Sequence, residues 1–272
     1  VVDIRSTVLV FAASSCITLI LSFAIYRSFL KEMHLPVLFG LDRNVIWDKE
    51  KIKYFMYLYV PFFLFWVYPN IVNLIVGRYM DPGHVAAFAL CYMLNSAIWV
   101  FLLPMLDTLF PFISSIFLHR TTFKEEKRRL NIILLFIIHA IFLWVLFLFF
   151  FGDTLLGILY GKTYAHYKPI LYLLSISFYF ESFRVVFDPM LKGTRNARGL
   201  LVIEIIRVLA IVLLSPWILR KGGLQYLALL FIGVHFLINF LKGIMVKRLV
   251  SVNFLSYYVY ALILIVIFNL LI

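Results

Sequence analysis

The chain has 272 residues, 64% of them hydrophobic and 14% charged, with a formal net charge of +12. Ordinary soluble domains are about 45–50% apolar, and a single core of this length does not bury so large an excess. The composition therefore excludes a soluble globular domain, and the positive charge is judged by where it falls between apolar runs rather than as a nucleic-acid signal.

A membrane span needs about 20 mainly apolar residues. Eight candidates follow in chain order: 7–26, 54–76, 85–118, 132–151, 169–191, 200–219, 224–246 and 255–272. The expected fold class is all-α, a polytopic membrane helix bundle of about eight transmembrane helices. No cleavage pattern follows the first run. The segment 27–53 contains L-D-R-N-V-I-W-D-K-E-K-I-K-Y-F, in which charges alternate with Val45, Ile46, Trp47 and Ile52. It reads as an amphipathic helix on the membrane surface that links two helical bundles, or as an ordinary charged loop. The run 85–118 is too long for one straight helix, and Pro104 and Pro111 are the expected bends. The chain opens V-V-D-I-R and stops at Ile272 inside an apolar run, so it reads as part of a longer protein.

Alternate connections differ sharply in charge. Segments 27–53, 119–131, 192–198 and 242–253 hold seventeen Lys and Arg, whereas 77–84, 152–168 and 220–223 hold five. The basic set is expected in the cytoplasm, and the expected location is a plasma membrane crossed many times. Cys16 and Cys91 both lie in apolar runs and suggest neither a disulfide nor a metal site. The segment G-I-L-Y-G-K-T, Gly157 to Thr163, is one residue short of a phosphate-binding loop. The six histidines are scattered, and no catalytic or metal constellation stands out. The chain is read as non-enzymatic, with no cofactor and no nucleic-acid partner.

Charges inside the spans carry the functional question, because each costs roughly 2.5–3.5 kcal/mol at the centre of a membrane helix. Glu181, Arg184 and Asp188 share one face of the fifth span at i, i+3 and i+7. Glu204 and Arg207 form a second set on the sixth. Arg184 and Arg207 lie equally far from the intervening connection, about 10 Å deep. Two readings stay open: the charges staple helices together, or the face lines a cavity whose arginines meet an anionic substrate. His235, Asn239 and Lys242 make a milder stripe at i, i+4 and i+7, where Lys242 either snorkels to the surface or touches substrate. Asn70 and Asn73, after Pro69, are interhelical glue or a polar cavity wall. Asp107, between Pro104 and Pro111, is a candidate coupling site.

The junction G-R-Y-M-D-P-G-H-V-A-A-F-A-L, with Gly77, Gly83, Ala86, Ala87 and Phe88, resembles one in the polysaccharide (O-antigen type) repeat-unit flippases. These belong to the multidrug/oligosaccharidyl-lipid/polysaccharide exporter superfamily. I-L-Y-G-K-T-Y-A-H-Y-K-P-I-L-Y-L-L-S (Ile158 to Ser175), L-K-G-T-R-N-A-R-G (Leu191 to Gly199) and R-K-G-G-L-Q-Y-L-A (Arg220 to Ala228) are similar to further junctions of that family. The resemblance implies a two-lobed exporter. Residues 1–26 would hold the last helix of the first lobe, 27–53 the linker, 54–246 a six-helix second lobe, and 247–272 an additional helix. It also implies alternating access that carries a lipid-linked oligosaccharide from the cytoplasmic to the outer leaflet, with polysaccharide assembly enzymes as possible partners. Alternatives are a multidrug or cation antiporter of the same superfamily, or a membrane glycosyltransferase or polymerase. The head-group candidates are Arg184, Arg207, Lys242, Asn70 and Asn73, with Glu181, Asp188 and Glu204 as their charge network.

Overall fold

A computed structural model of the protein describes residues 49–104, 123–193 and 196–249, together with positions 259, 260, 263 and 266. Spans expected at 7–26, in the later part of 85–118 and over most of 255–272 lie outside the described residues, as does most of segment 27–53. The chain divides at Phe55 into two units, and the account below concerns the second.

Among the described residues run the α-helices α1 (Lys49–Tyr79), α2 (Pro82–Ser96), α3 (Phe123–Tyr160), α4 (Lys168–Ser182), α5 (Arg184–Gly193) and α6 (Ala197–Leu249), with a 3₁₀ helix over Lys162–Tyr167. No strand occurs among the described residues. Among the described residues, four helical segments are long and apolar enough to cross a membrane: Phe55–Tyr79, Asn131–Tyr160, Lys168–Gly193 and Ala197–Val246. The chain is an all-α membrane bundle.

Local chemistry sets the helix ends. Asp81 caps α2, its carboxylate accepting from the His84 backbone N–H at 3.1 Å, and Pro82 occupies the first turn, where no N–H is needed. That backbone bond first, and the His84 side chain second, hold the Asp81 carboxyl below its ordinary range. The third expected span is interrupted ahead of Pro104, and the stretch around Pro111 lies outside the described residues. A turn at 97–98 ends α2, and helix resumes over 99–104. The cause lies in Asn95 and Ser96, whose side chains donate to the Cys91 and Met93 carbonyls at 2.9 Å each. Such back-bonds compete with the helix ladder.

The sixth and seventh spans form one hairpin with no loop. α6 turns at Gly223, whose φ of 68° and ψ of −158° suit a residue without a Cβ. Glu204 and Lys242 stand equally far from Gly223 along the chain, and they bond. The two halves of α6 therefore run back against each other.

At the centre lies the pair α4–α5, in which every residue from 170 to 191 is buried. It packs against α2, α3 and both halves of α6. Gly152 lets α3 come close, since a Cβ there would collide with the Leu171 side chain. The central helix is interrupted at Phe183, where the N–H reaches back to the Phe180 carbonyl at 3.3 Å. This tighter turn falls between Glu181 and Arg184.

Candidate functional site

Six charged side chains, five of them expected to act together and Lys242 the sixth, meet around this interruption. From α4, the Glu181 carboxylate accepts from Tyr68 Oη of α1 at 2.7 Å and from Arg207 Nη1 of α6 at 2.9 Å. Arg207 Nη2 lies 2.8 Å from Glu204 Oε2. Lys242 Nζ donates to Glu204 Oε1 at 2.5 Å and to Asp188 Oδ1 at 2.7 Å. Asp188 Oδ2 in turn sits 3.3 Å from Arg184 Nη2. The result is one chain of alternating charge, Glu181–Arg207–Glu204–Lys242–Asp188–Arg184. Three acids face three bases, so burial in low dielectric is compensated pair by pair.

Aromatic faces add to this pairing. The Arg207 guanidinium lies 4.5 Å from the Tyr68 ring centre and that of Arg184 3.7 Å from Phe65, distances at which a ring quadrupole attracts a cation. Tyr68 Oη is also 3.2 Å from Tyr92 Oη of α2. Beside the acids, His235 Nδ1 is 2.9 Å from Ser177 Oγ, while its Nε2 stands 4.0 Å from Glu181 Oε1. Asn239 Nδ2 donates to the Phe180 carbonyl at 2.8 Å, next to the helix interruption.

Lys242 does not snorkel. It is 1% exposed, and its two carboxylate partners hold it inside the bundle, so it leaves the basic connection in which the sequence placed it. Asn70 is exposed and donates to the Trp66 carbonyl of its own helix at 3.1 Å. Asn73 is partly buried, with an amide oxygen lacking a hydrogen-bond partner among the described residues. Neither residue is drawn into the charge network. Asp107 lies outside the described residues.

One end of the network reaches a cavity of about 350 Å³, lined by Leu58, Tyr59, Pro61, Phe62, Phe65, Trp99, Leu103, Arg184, Asp188, Pro189 and Lys192. Its polar wall comes from α5, where Arg184, Asp188 and Lys192 recur every four residues on one face. Its apolar wall comes from α1 and from 99–104. Lys192 and Trp99 are cavity residues that sequence reasoning passed over. Lys192 was assigned to a connection, although its four-residue spacing from Asp188 was a usable signal. Nothing marked Trp99 or Tyr68 beyond their being aromatic.

Among the described residues no group of three or more His, Cys, Asp or Glu is placed to hold a metal. No curated protein and no solved structure matches the chain. Residues 58–217 match the MatE family, more than half of the sequence and all of α1 beyond its first turns through the first half of α6. Members of this family are membrane transporters. An apolar helical bundle with ionisable side chains gathered at its centre is consistent with that, and the chain belongs to the MatE family of the multidrug/oligosaccharidyl-lipid/polysaccharide exporter superfamily.

Proposed function

We propose that this exporter is a flippase moving a lipid-linked oligosaccharide, joined through phosphate or pyrophosphate to a polyprenol, from the cytoplasmic to the outer leaflet of the plasma membrane. The observation that carries the reading is the cavity between α1 and α5. It combines two cations, Arg184 and Lys192, with one carboxylate, Asp188, and an apolar wall that includes Phe62, Phe65 and Leu103. A cationic drug needs the opposite balance of charge, whereas an anionic head on an apolar tail suits both walls. The charge bias of the connections supports placing 192–198 in the cytoplasm, which puts the Lys192 end of the cavity on the side where such a substrate is made. Enzymes of polysaccharide assembly are then the expected suppliers and consumers of the cargo.

The test uses the full-length gene in its own host, comparing wild type with Arg184→Leu at matched protein levels. A membrane-impermeant sugar-modifying reagent measures lipid-linked oligosaccharide on each leaflet. The expected result is accumulation on the inner leaflet in the variant. If deletion of the gene leaves the leaflet distribution unchanged in a host with no second copy, the flippase reading falls. Loss of resistance to cationic dyes in that deletion strain would favour the antiporter.

A further inference from the structure

At the end of the bundle away from Lys192, the turn of α6 meets the end of α1. A Cβ placed on Gly223 would stand 3.2 Å from Met80 Cε, and Arg220 Nη2 donates to Tyr79 Oη at 3.3 Å. The described acids in the connections at this end are Asp81, which holds His84, and Asp153, which holds Lys168. Arg78, Arg220 and Lys221 are exposed and join no ion pair among the described residues. Two of these cations rest on aromatic rings instead. Lys221 Nζ is 4.2 Å from the Trp217 ring centre, and the Arg220 guanidinium is 5.0 Å from that of Tyr79. Exposed Trp and Tyr mark the headgroup level of a bilayer, so both cations stand where lipid phosphates lie.

An apolar row leads up to them. Ile206, Leu209, Leu213 and Trp217 recur at three- and four-residue spacing on the first arm of α6, and each is at least 50% exposed. Lys221 continues the row one turn further. The rise from Ile206 to Trp217 is about 16 Å, close to half of a hydrocarbon core about 30 Å thick. The row therefore crosses one leaflet and ends in unmatched positive charge. Any acyl chain can cover the apolar part, but only an anionic head satisfies the end. The planar Arg220 fork, with one nitrogen fixed by Tyr79, keeps further N–H donors for phosphate oxygens.

We propose that this face of α6 is a docking site for one anionic glycerophospholipid of the surrounding leaflet. Its phosphate sits between Arg220 and Lys221, and an acyl chain lies along Trp217, Leu213, Leu209 and Ile206. The site is separate from the α1–α5 cavity and is independent of the cargo the exporter carries. Arg220 also touches α1, so an occupied site ties the α6 turn to that helix and makes this end of the bundle responsive to the charge of its leaflet.

The experiment reconstitutes purified full-length protein in phosphatidylcholine vesicles that contain a rising share of chain-brominated phosphatidylglycerol or, in a matched series, chain-brominated phosphatidylcholine. Bromine quenches a tryptophan it touches, and the difference between wild type and Trp217→Phe isolates the Trp217 emission. One surface cation favours an anionic lipid about fivefold, so phosphatidylglycerol should quench Trp217 at a share at least about fivefold lower than phosphatidylcholine. Arg220→Gln and Lys221→Gln should each reduce that preference, and the double variant should abolish it. Both positions are exposed, and an unchanged thermal midpoint in pure phosphatidylcholine checks that the fold is kept. Arg198→Gln, at the opposite end of the bundle, should leave the preference as it is. Equal quenching by the two lipids in wild type would overturn the site and leave an acidic protein surface as the occupant of the cations. A preference that survives in the double variant, or that falls equally in Arg198→Gln, would overturn it in favour of diffuse attraction to a basic protein.

Discussion

The central helix pair α4–α5 and the flanking helix α3 are both long enough to cross a membrane, yet they obey opposite rules. In its most apolar stretch Lys168–Gly193 is 100% buried, whereas Asn131–Tyr160 is 35% buried. The buried one carries Glu181, Arg184 and Asp188. The exposed one is the more apolar and shows Phe136, Leu143, Phe150 and Ile158 on its outer face. In water the order would be reversed. Lipid removes the penalty on apolar exposure and raises it on unpaired polar groups, so the least apolar helix is driven to the middle, where partners exist. Hydropathy in such a chain marks what faces lipid, and charge marks what is buried.

The contrast is sharpest if one link of the central network is cut. Arg207→Leu leaves Glu181 and Glu204 short of a partner in the interior, and the expected cost is about 3–5 kcal/mol. Unfolding in mixed micelles measures it, and a cost below that of an ordinary surface substitution would mean the charges do not hold the bundle. Tyr68→Phe removes a single hydroxyl from Glu181. A hydrogen bond to a charged group contributes about 1.5–3 kcal/mol, so the same assay should place this variant second.

Outside the membrane-spanning segments the effects shrink. Asp81→Ala removes the α2 cap and should lower the thermal midpoint slightly at neutral pH. The carboxyl is depressed in the folded protein, so its contribution is present above the ordinary carboxylate range and is lost as pH falls through the lower, folded-state value. Wild type and variant should therefore converge in acid, and a difference that persists there would point to a contact other than the cap. Smallest of all is Leu143→Ala on the lipid face of α3, 62% exposed in this fold. A change within about 0.5 kcal/mol is expected, and a larger loss would show that this face is covered in the membrane.

Much of the interior could be read in advance because charge inside an apolar run is so conspicuous. Glu181, Arg184 and Asp188 on one helix and Glu204 and Arg207 on the next pointed to a shared depth, and the Arg207–Glu181 bond joins the two helices. Lys242 was left open between the surface and a substrate contact, and Lys192 was placed in a connection, because a basic residue near a helix end looks the same whether it snorkels outward or turns inward. Only the partner decides, and Asp188 is fifty-four residues from Lys242 along the chain. Tyr68 gave no signal, since its role depends on which helix lies opposite. The break at 97–98 carries no proline and follows Asn95 and Ser96, whose side-chain bonds to the backbone leave no periodic mark in the sequence.

The loopless turn at Gly223 also bears on how the bundle is assembled in a cell. Its two arms can enter the bilayer together as a preformed unit, in which Glu204 is matched and Arg207 and Lys242 leave one positive charge over. Counting only the side chains of the buried network, the helix made just before it, with Glu181, Arg184 and Asp188, is left with one negative charge. Each piece is unfinished by a single charge, of opposite sign, and their docking cancels both. The order of synthesis thus gives these two segments a reason to find each other.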